Sequence, residues 1–254
     1  MPTPLCQFLE WDTEFFGFRI ARVLANRLTA DDLPPMLDWC AAQQIRCLYL
    51  LASSNDLDTA RIAAEQRFRF VDIRTTLGCS LNKPVPEMAK PVLEVAFQIR
   101  TARPEDIGPL AAIARYSHTD SRFYSDPDFP RERCAQLYET WFEKSFRGYA
   151  KTILVAERDS TPVGYITCDW SGDTGQIGLI AVAECSRGMG IGEALVHSSL
   201  KAFQDQGLKQ AIVVTQGRNL AAQRMYQRCG FLTGSVELWY HAWFPQQPGL
   251  VRAA

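Results

Sequence analysis

The 254-residue sequence predicts an α/β fold with a mixed, mainly antiparallel central sheet that is flanked by helices. Two observations predict this class. Short apolar segments that fit strands alternate with amphipathic segments that fit helices along the whole chain. In the second half, the strand candidates 152–158, 162–170 and 176–182 follow one another across short turns, which is typical of antiparallel neighbours.

A proline-containing stretch divides the chain into two predicted domains. NKPVPEMAKPVLE, residues 82–94, holds three prolines and little periodicity, as linkers often do. We therefore predict a smaller α/β domain over residues 1–92 and a larger domain over residues 96–254. Both contain the order strand, Asn, helix, Phe, strand. The smaller domain is either a truncated relative of the larger one or similar to it by chance.

Local patterns predict the elements of each domain. The smaller domain contains strands at 8–11, 19–24, 47–51 and within 68–81, and helices at 31–44 and 56–66. The larger domain also contains a strand at 97–100, a helix that begins near Pro104, a loop at 121–130 and a helix at 131–146. It ends with a helix up to about Gln206, a strand at 211–216, a helix at 219–229, and two strands at 231–234 and 235–243.

Composition excludes several functional classes. Hydrophobic residues make up 47% of the chain and charged residues 22%, which is typical of a globular protein. A formal net charge of -1 predicts no nucleic-acid or membrane partner. No secretory signal pattern and no apolar run of about 20 residues is present, so we expect a cytoplasmic protein. The eight cysteines form no C-x-x-C pair, so we expect reduced thiols and no metal site.

A glycine-rich loop follows an apolar strand and opens a predicted helix. Its sequence is RGMGIG, residues 187–192. Glycines permit positive φ and let a ligand approach the backbone closely. The first N–H groups of a helix have no partner within the helix and attract phosphate, so the loop predicts a site for a phosphorylated cofactor. It lacks both the Gly-Lys-Ser/Thr of a Walker loop and the spacing of a dinucleotide fingerprint.

The spacing Arg-x-x-Gly-x-Gly in this loop resembles the acetyl-CoA signature of the GCN5-related N-acetyltransferases, the GNAT superfamily. Residues 97–114 are similar to the opening strand and helix of that family. The resemblance covers about residues 96–244. It implies the GNAT acyl-CoA N-acyltransferase fold, acetyl-CoA as co-substrate and, if the smaller domain is a relative, a truncated GNAT-like unit there. Downstream, the family's pattern N-x-x-A-x-x-x-Y-x-x-x-GF is matched approximately by Asn219, Ala222, Tyr226, Cys229, Gly230 and Phe231.

The resemblance also implies which residues hold acetyl-CoA. In the family, the strand that ends at the position of Val182 is splayed, and its backbone pairs with the pantetheine arm. The glycine loop holds the pyrophosphate. Carried over residue by residue, the predicted cofactor-binding residues are Ile180, Ala181, Val182, Arg187, Gly188, Met189, Gly190, Ile191, Gly192, Glu193, Asn219, Ala222 and Tyr226.

Tyr226 and Asn219 are the predicted catalytic residues. They are about two helical turns apart, so both can face one cleft. The resemblance gives the Tyr position the role of general acid to the departing thiolate, and a phenol with a pKa of about 10 can donate that proton. The alternatives are a Tyr that packs in the core and an Asn that caps the helix.

No general base is predicted. Many family members carry a Glu on the strand before the glycine loop, whereas QIGLIAV, residues 176–182, has no carboxylate. Asp169, Glu184 and His118 are candidates, but each is favoured as a surface or capping residue. A water relay, or entry of the neutral amine, would also serve.

A narrower resemblance, to the dTDP-fucosamine acetyltransferases, indicates the acceptor. It rests on EWDTEFFGFRIARV, on SRFYSDPDFPRERCAQLYETWFEKSFRG and on RNLAAQRMYQRCGF. It implies a small-molecule amine partner, the 4-amino group of a dTDP-4-amino-4,6-dideoxyhexose. Arg122 would meet a phosphate of this nucleotide sugar, and Phe123 and Tyr138 would pack against a ring. Trp141, three residues from Tyr138, is favoured as a core residue.

Two other functions stay open. One is acetylation of another amine, such as a protein N-terminus, an aminoglycoside or a polyamine; the mixed charge of residues 115–134 disfavours the last two. The other is a non-catalytic acyl-CoA-binding module, which the presence of Tyr226 and Asn219 disfavours. Four aromatic residues near the C-terminus either line a homodimer contact or complete the core. They are Trp239, Tyr240, Trp243 and Phe244.

Overall fold

The structure is a computed structural model that describes residues 4–82 and 97–245. The chain divides into two compact units. The first contains the described residues up to Arg74, the segment Ser125–Phe129 and the described residues from Val236 onward. The second contains the described residues of Thr75–Tyr124 together with Pro130–Ser235. The predicted linker beyond Asn82 lies outside the described residues, so the two-domain division at residues 92–96 stays a prediction.

The first unit is a small α/β unit with its own core. Its strands are β1 (Cys6–Phe8), β2 (Ile20–Val23), β3 (Cys47–Ser53) and parts of β4 (Arg69–Ser80) and β10 (Leu232–Trp243). Its helices are α1 (Glu10–Phe16), α2 (Leu33–Ala42) and α3 (Leu57–Glu65). β1 is antiparallel to β2, β2 is parallel to β3, and β3 is antiparallel to β10. Tyr240 is buried in this core and Phe244 packs against it, so these two rings help to complete the core.

The first predicted strand, at 8–11, is wrong beyond its first residue. β1 ends at Phe8, and the chain enters α1 at Glu10. Acidic residues in the first turn, Glu10 and Asp12, favour a helix start because they interact with the helix dipole. Gly17 ends the helix in the left-handed conformation, with φ 80°, and its N–H donates to the Thr13 carbonyl at 2.9 Å.

The second unit carries the predicted mixed sheet. Its strands, besides parts of β4 and β10, are β5 (Gln98–Thr101), β6 (Thr152–Arg158), β7 (Thr161–Ser171), β8 (Thr174–Val182) and β9 (Gln210–Gln216). Its helices are α4 (Ile107–Ser117), α5 (Arg122–Ser125), α6 (Arg131–Lys144), α7 (Ile191–Asp205) and α8 (Leu220–Arg228). β5 to β8 are antiparallel neighbours, and β8 is parallel to β9. The mixed, mainly antiparallel sheet flanked by helices is confirmed.

The two faces of this sheet bury different clusters. Strand residues alternate between the faces, so Tyr165 packs on the side of α4 and α6, whereas Ile166 packs on the side of α7 and α8. Ala181 belongs to the first cluster, and Ile180 and Val182 pack against the second. Successive residues at the end of β8 therefore contact opposite halves of the core.

Two further predictions of local structure are wrong. The predicted loop at 121–130 contains the one-turn helix α5, because Phe123 is buried and its carbonyl accepts a hydrogen bond from Cys134 Sγ at 3.4 Å. The two predicted final strands form the single strand β10. Gly234 makes no turn there; a Cβ added to it would lie 3.6 Å from the Thr76 carbonyl oxygen, so the glycine permits close approach of an extended chain.

Candidate active site

Strand β8 separates from β9 before it ends. The parallel pairing runs from Thr174 opposite Gln210 to Ile177 opposite Val213, and the described residues of the two strands form no pair beyond it. The edge of residues 178–182 that faces away from β7 is therefore not paired with β9. A strand edge of this kind presents N–H and C=O groups that an extended ligand can pair with.

A bulge shapes the start of this unpaired edge. The register between β7 and β8 shifts between Ile166 and Cys168. At that point Leu179 N–H donates to Thr167 Oγ1 at 2.7 Å. A Cβ added to Gly178 would lie 2.7 Å from the same oxygen, so only glycine fits there. Neither Gly178 nor Thr167 was predicted as a site residue, and the signal available for Gly178 was a glycine inside a strand pattern.

The glycine loop leads from β8 into α7. Gly188 and Gly190 have φ of 77° and 78°, where a side chain would be strained. Gly190 precedes the first residue of α7, and Ala194 N–H donates to the Gly190 carbonyl at 3.0 Å. The N–H groups of the first turn before Ala194 therefore lack a carbonyl within the helix. Gly192 serves packing, because a Cβ there would lie 2.9 Å from Met225 Sδ on α8.

Charged residues of the loop are already engaged. Arg187 Nε donates to the Val182 carbonyl at 3.2 Å, which joins the loop to the end of β8. Glu193, in the first turn of α7, is mostly buried and pairs with Arg228 Nε at 3.0 Å. This ion pair offsets a carboxylate that would otherwise repel an anion at the helix N-terminus.

Asn219 caps the start of α8 and Tyr226 is packed in the core, which are the two alternative roles considered for them. Asn219 is the N-cap, and its Oδ1 accepts a hydrogen bond from Ala222 N–H at 3.0 Å. Tyr226 is 2% exposed and packs against Phe231, with ring centroids 5.7 Å apart. It belongs to the same cluster that Ile180 and Val182 contact. Burial raises the pKa of Tyr226, so its hydroxyl stays protonated at neutral pH and can donate.

The predicted substrate residues form an aromatic cluster. Phe123 and Tyr138 are buried, whereas Arg122 and Trp141 are half-buried. The Arg122 guanidinium lies 4.2 Å from the centroid of the Phe123 ring, and Trp141 makes edge contacts with both Tyr138 and Phe123. Trp141 is thus the more exposed ring of the cluster, although the sequence favoured it as a core residue.

His118 is part of this cluster, and of the two expected roles, surface or capping residue, the structure gives it the capping position. It occupies the C-cap position of α4, and its ring stacks on Tyr138 with centroids 4.4 Å apart. Its Nε2 lies 3.4 Å from the Tyr165 hydroxyl. Burial, together with the positive charge of Arg187, lowers the pKa of His118 to about 4. The other candidate bases, Asp169 and Glu184, are exposed.

Comparison with known proteins identifies the matched part of the chain. The model of the Acetyltransferase (GNAT) family matches residues 115–231. These residues belong to the GNAT family. We call residues 115–231 the GNAT domain; the family that they match is named for acetyltransferases and uses acetyl-CoA. The splayed β8 and the glycine loop of the GNAT domain fit that molecule, since both offer backbone groups to a ligand that carries an extended arm and phosphates.

Curated relatives are similar over part of their length. The spore coat polysaccharide biosynthesis protein SpsD of Bacillus subtilis is 23% identical over 196 residues, which are 77% of this chain and 66% of the relative. A mycothiol acetyltransferase of Streptomyces griseus is 30% identical over 162 residues, 61% of this chain and 49% of the relative. The chain thus spans about half to two thirds of the length of these relatives.

Solved structures show the same fold. A GCN5-related N-acetyltransferase from Sphaerobacter thermophilus aligns with a TM-score of 0.66 at 15% identity, over 96% of this chain and 77% of that one. A tandem GNAT protein from the clavulanic acid biosynthesis pathway aligns with a TM-score of 0.60 at 13% identity, over 90% of this chain and 76% of that one.

In the described part of the chain, no helix is long and apolar enough to cross a membrane. Those residues also form no group of three or more His, Cys, Asp and Glu side chains that could hold a metal.

Proposed function

We propose that this protein transfers acetyl from acetyl-CoA to the 4-amino group of a dTDP-4-amino-4,6-dideoxyhexose. The observation that carries the proposal is the unpaired edge of β8, which meets the glycine loop where Arg187 bonds the Val182 carbonyl. An extended pantetheine arm and a pyrophosphate need such neighbouring sites. No metal enters the proposal, and the protein is proposed to act in the cytoplasm.

The backbone supplies most of the acetyl-CoA site in this proposal. The pantetheine arm pairs with the backbone of Ile180–Val182, and the N–H groups there polarise the thioester carbonyl. The pyrophosphate lies at the start of α7, where the N–H groups of Ile191, Gly192 and Glu193 are directed to the anion with the helix dipole behind them. Left-handed backbone at Gly188 and Gly190 brings the loop close to the phosphates.

Tyr226 is the general acid of the proposed reaction. The neutral amine attacks the thioester carbon, a C–N bond forms, and the C–S bond then breaks. The departing thiolate takes a proton from the Tyr226 hydroxyl, which solvent later restores. Asn219 fixes the start of α8 and thereby the height of Tyr226 along the cleft. Because Tyr226 is buried and protonated, it is ready to donate before substrate arrives.

The acceptor is the finer part of the proposal. The narrower resemblance in sequence supports a nucleotide sugar, and the printed name of SpsD connects that relative with polysaccharide biosynthesis. Arg122, half-buried over the Phe123 ring, offers a guanidinium to a phosphate, and Trp141 offers the more exposed ring surface. Mycothiol acetyltransferases among the relatives make the amine acceptor of that enzyme the second candidate.

Release of thiol from acetyl-CoA in the presence of an amine panel tests the proposal. The panel contains the nucleotide sugar, the acceptor of mycothiol acetyltransferase, an aminoglycoside, spermidine and an N-terminal peptide. We expect turnover with the nucleotide sugar alone and a fall in kcat of about 10²-fold in Tyr226→Phe. Tyr149→Phe is the matched control, because Tyr149 is 74% exposed. Binding of acetyl-CoA without turnover of any amine would favour the non-catalytic alternative.

A further inference from the structure

Two contacts fix the position of the His118 ring. It stacks on Tyr138 of α6 at an interplanar angle of 18°, and its Nε2 faces the Tyr165 hydroxyl of β7. The positive charge of Arg187 reaches it from the glycine loop. The residue as a whole is half-buried.

The contact with Tyr165 shows on which side of β8 the His118 ring lies. Tyr165 is the register partner of Ala181, and paired residues of antiparallel strands share one face of the sheet. Arg187 bonds the carbonyl of Val182, the next residue. His118 therefore lies on the α4 and α6 side of the sheet, the side on which Ala181 packs. The proposed function puts the thioester carbonyl at the end of β8, which includes Ala181. Tyr226 belongs to the cluster on the α7 and α8 side.

We propose that His118 is a catalytic residue that accepts the proton lost by the acceptor amine as the amide bond forms. This inference rests on the proposed function and selects His118 from the three candidate bases that the sequence left open. It also defines an amine-binding position between His118 and the backbone of residues 181–182.

The chemistry of the ring fits this role. When Nε2 carries its hydrogen and donates it to the Tyr165 hydroxyl oxygen, Nδ1 keeps its lone pair and is the proton acceptor. Tyr165 is fully buried, and burial raises its pKa, so it stays a neutral hydroxyl and holds the ring. Tyr165 is thus a positioning residue. Arg187 and burial keep His118 neutral at physiological pH and free to receive a proton.

Every proton in the proposed acetyl transfer has a donor and an acceptor. The amine nitrogen forms a bond to the carbonyl carbon and becomes positively charged. One N–H proton moves to His118 Nδ1, and the C–S bond breaks as the thiolate takes a proton from Tyr226. The imidazolium beside Arg187 then loses its proton to solvent, since the two positive charges repel.

His118→Gln tests the inference in the full-length protein, with His197→Gln as the matched control. His197 is a second half-buried histidine, and its Nε2 has no hydrogen-bond partner. We measure kcat and KM for the acceptor from pH 6 to 9 and the Kd for CoA. We expect kcat of His118→Gln at pH 7 to fall about 10²-fold, with the Kd for CoA and the His197→Gln kinetics unchanged.

Two further results are expected if His118 accepts a proton, and a purely structural role of His118 would produce neither. The ratio of native to variant kcat should shrink as the pH rises, because hydroxide then takes the proton. Free imidazole should partly restore His118→Ala. An unchanged kcat in His118→Gln, or an equal loss at every pH without imidazole rescue, would overturn the inference and leave the proposed function standing. A native protein that binds CoA but acetylates no amine would overturn both.

Discussion

The two histidines with hydrogen-bond partners, one in each unit, show how differently a fold can use one residue type. His241 in the first unit is fully buried, and its Nδ1 lies 2.7 Å from Asp126 Oδ2. That carboxylate also accepts from Trp243 Nε1 at 2.8 Å and pairs with Arg69. His118 in the second unit is half-buried, has a neutral hydroxyl as partner and lies within the electrostatic influence of Arg187.

The difference separates polar groups that hold the fold from polar groups that can act. Around Asp126, each oxygen has a protein partner, so the cluster gains stability and offers nothing to a ligand. At His118 and in the first turn of α7, acceptor and donor capacity is left for a ligand. A substitution in the first group should therefore cost stability, whereas one in the second group should cost binding or turnover.

The largest effect on stability is expected from Asp126→Asn. The variant removes the charge while it keeps the shape, and one of the two acceptor oxygens becomes an NH2 group that cannot accept from Arg69 or from His241 and Trp243. A buried polar group that loses its hydrogen-bond partner costs about 1–3 kcal/mol. We expect that decrease in the free energy of unfolding, measured by urea titration followed through tryptophan fluorescence, with kcat of the folded protein unchanged.

Asp128→Asn is the control for this prediction, because Asp128 pairs with the same Arg69 but is about half exposed. Asp128→Asn should lower the free energy of unfolding by less than about 1 kcal/mol.

The pH dependence of stability provides a second check on the role of Asp126. Burial alone would raise the pKa of Asp126, but hydrogen bonds from His241 and Trp243 outweigh it and lower the value to about 2. The native protein should therefore lose stability as pH falls from about 4 to 2, and Asp126→Asn should lack this step. An equal loss of unfolding free energy in Asp126→Asn and Asp128→Asn would contradict the assignment of the buried cluster around Asp126 to stability.

Gly190→Ala should show the opposite pattern. Left-handed φ costs a residue with a side chain about 1–2 kcal/mol, so some stability is lost. The loop must also shift where the phosphate is proposed to bind. We expect the Kd for CoA, measured by calorimetry, to rise about tenfold or more, which corresponds to one lost hydrogen bond to a charged group.

The control is Gly207→Ala, at the other end of α7. Gly207 has φ 73°, and an added Cβ would meet nothing within 4 Å, as at Gly190. The two variants should therefore lose similar stability, and only Gly190→Ala should weaken CoA binding. If both bind CoA as tightly as the native protein, the glycine loop is not the phosphate site.

The sequence predicted those features of the candidate site whose structure is local in the chain. The glycine loop, the start of α7 and the N-cap at Asn219 are each set by neighbouring residues, so spacing was enough. The partners of His118 and Asp126 lie far along the chain, 47 residues away at Tyr165 and 115 at His241. No periodicity connects such residues, and only the packing of the folded chain brings them together.

Asn219 belongs to both groups of polar residues, those that stabilise the fold and those that can act on a ligand, because it caps a helix and is also proposed to serve catalysis. Asn219→Ala removes the acceptor for Ala222 N–H and should cost about 1 kcal/mol of stability. Asn219→Ser keeps a capping oxygen and should restore most of that stability. We measure kcat for both variants beside the urea titrations. Recovery of kcat in Asn219→Ser would mean that the residue acts only by placing Tyr226. A stable Asn219→Ser with low kcat would mean that the amide itself contacts acetyl-CoA, since a hydroxyl can cap the helix but cannot reproduce both amide groups.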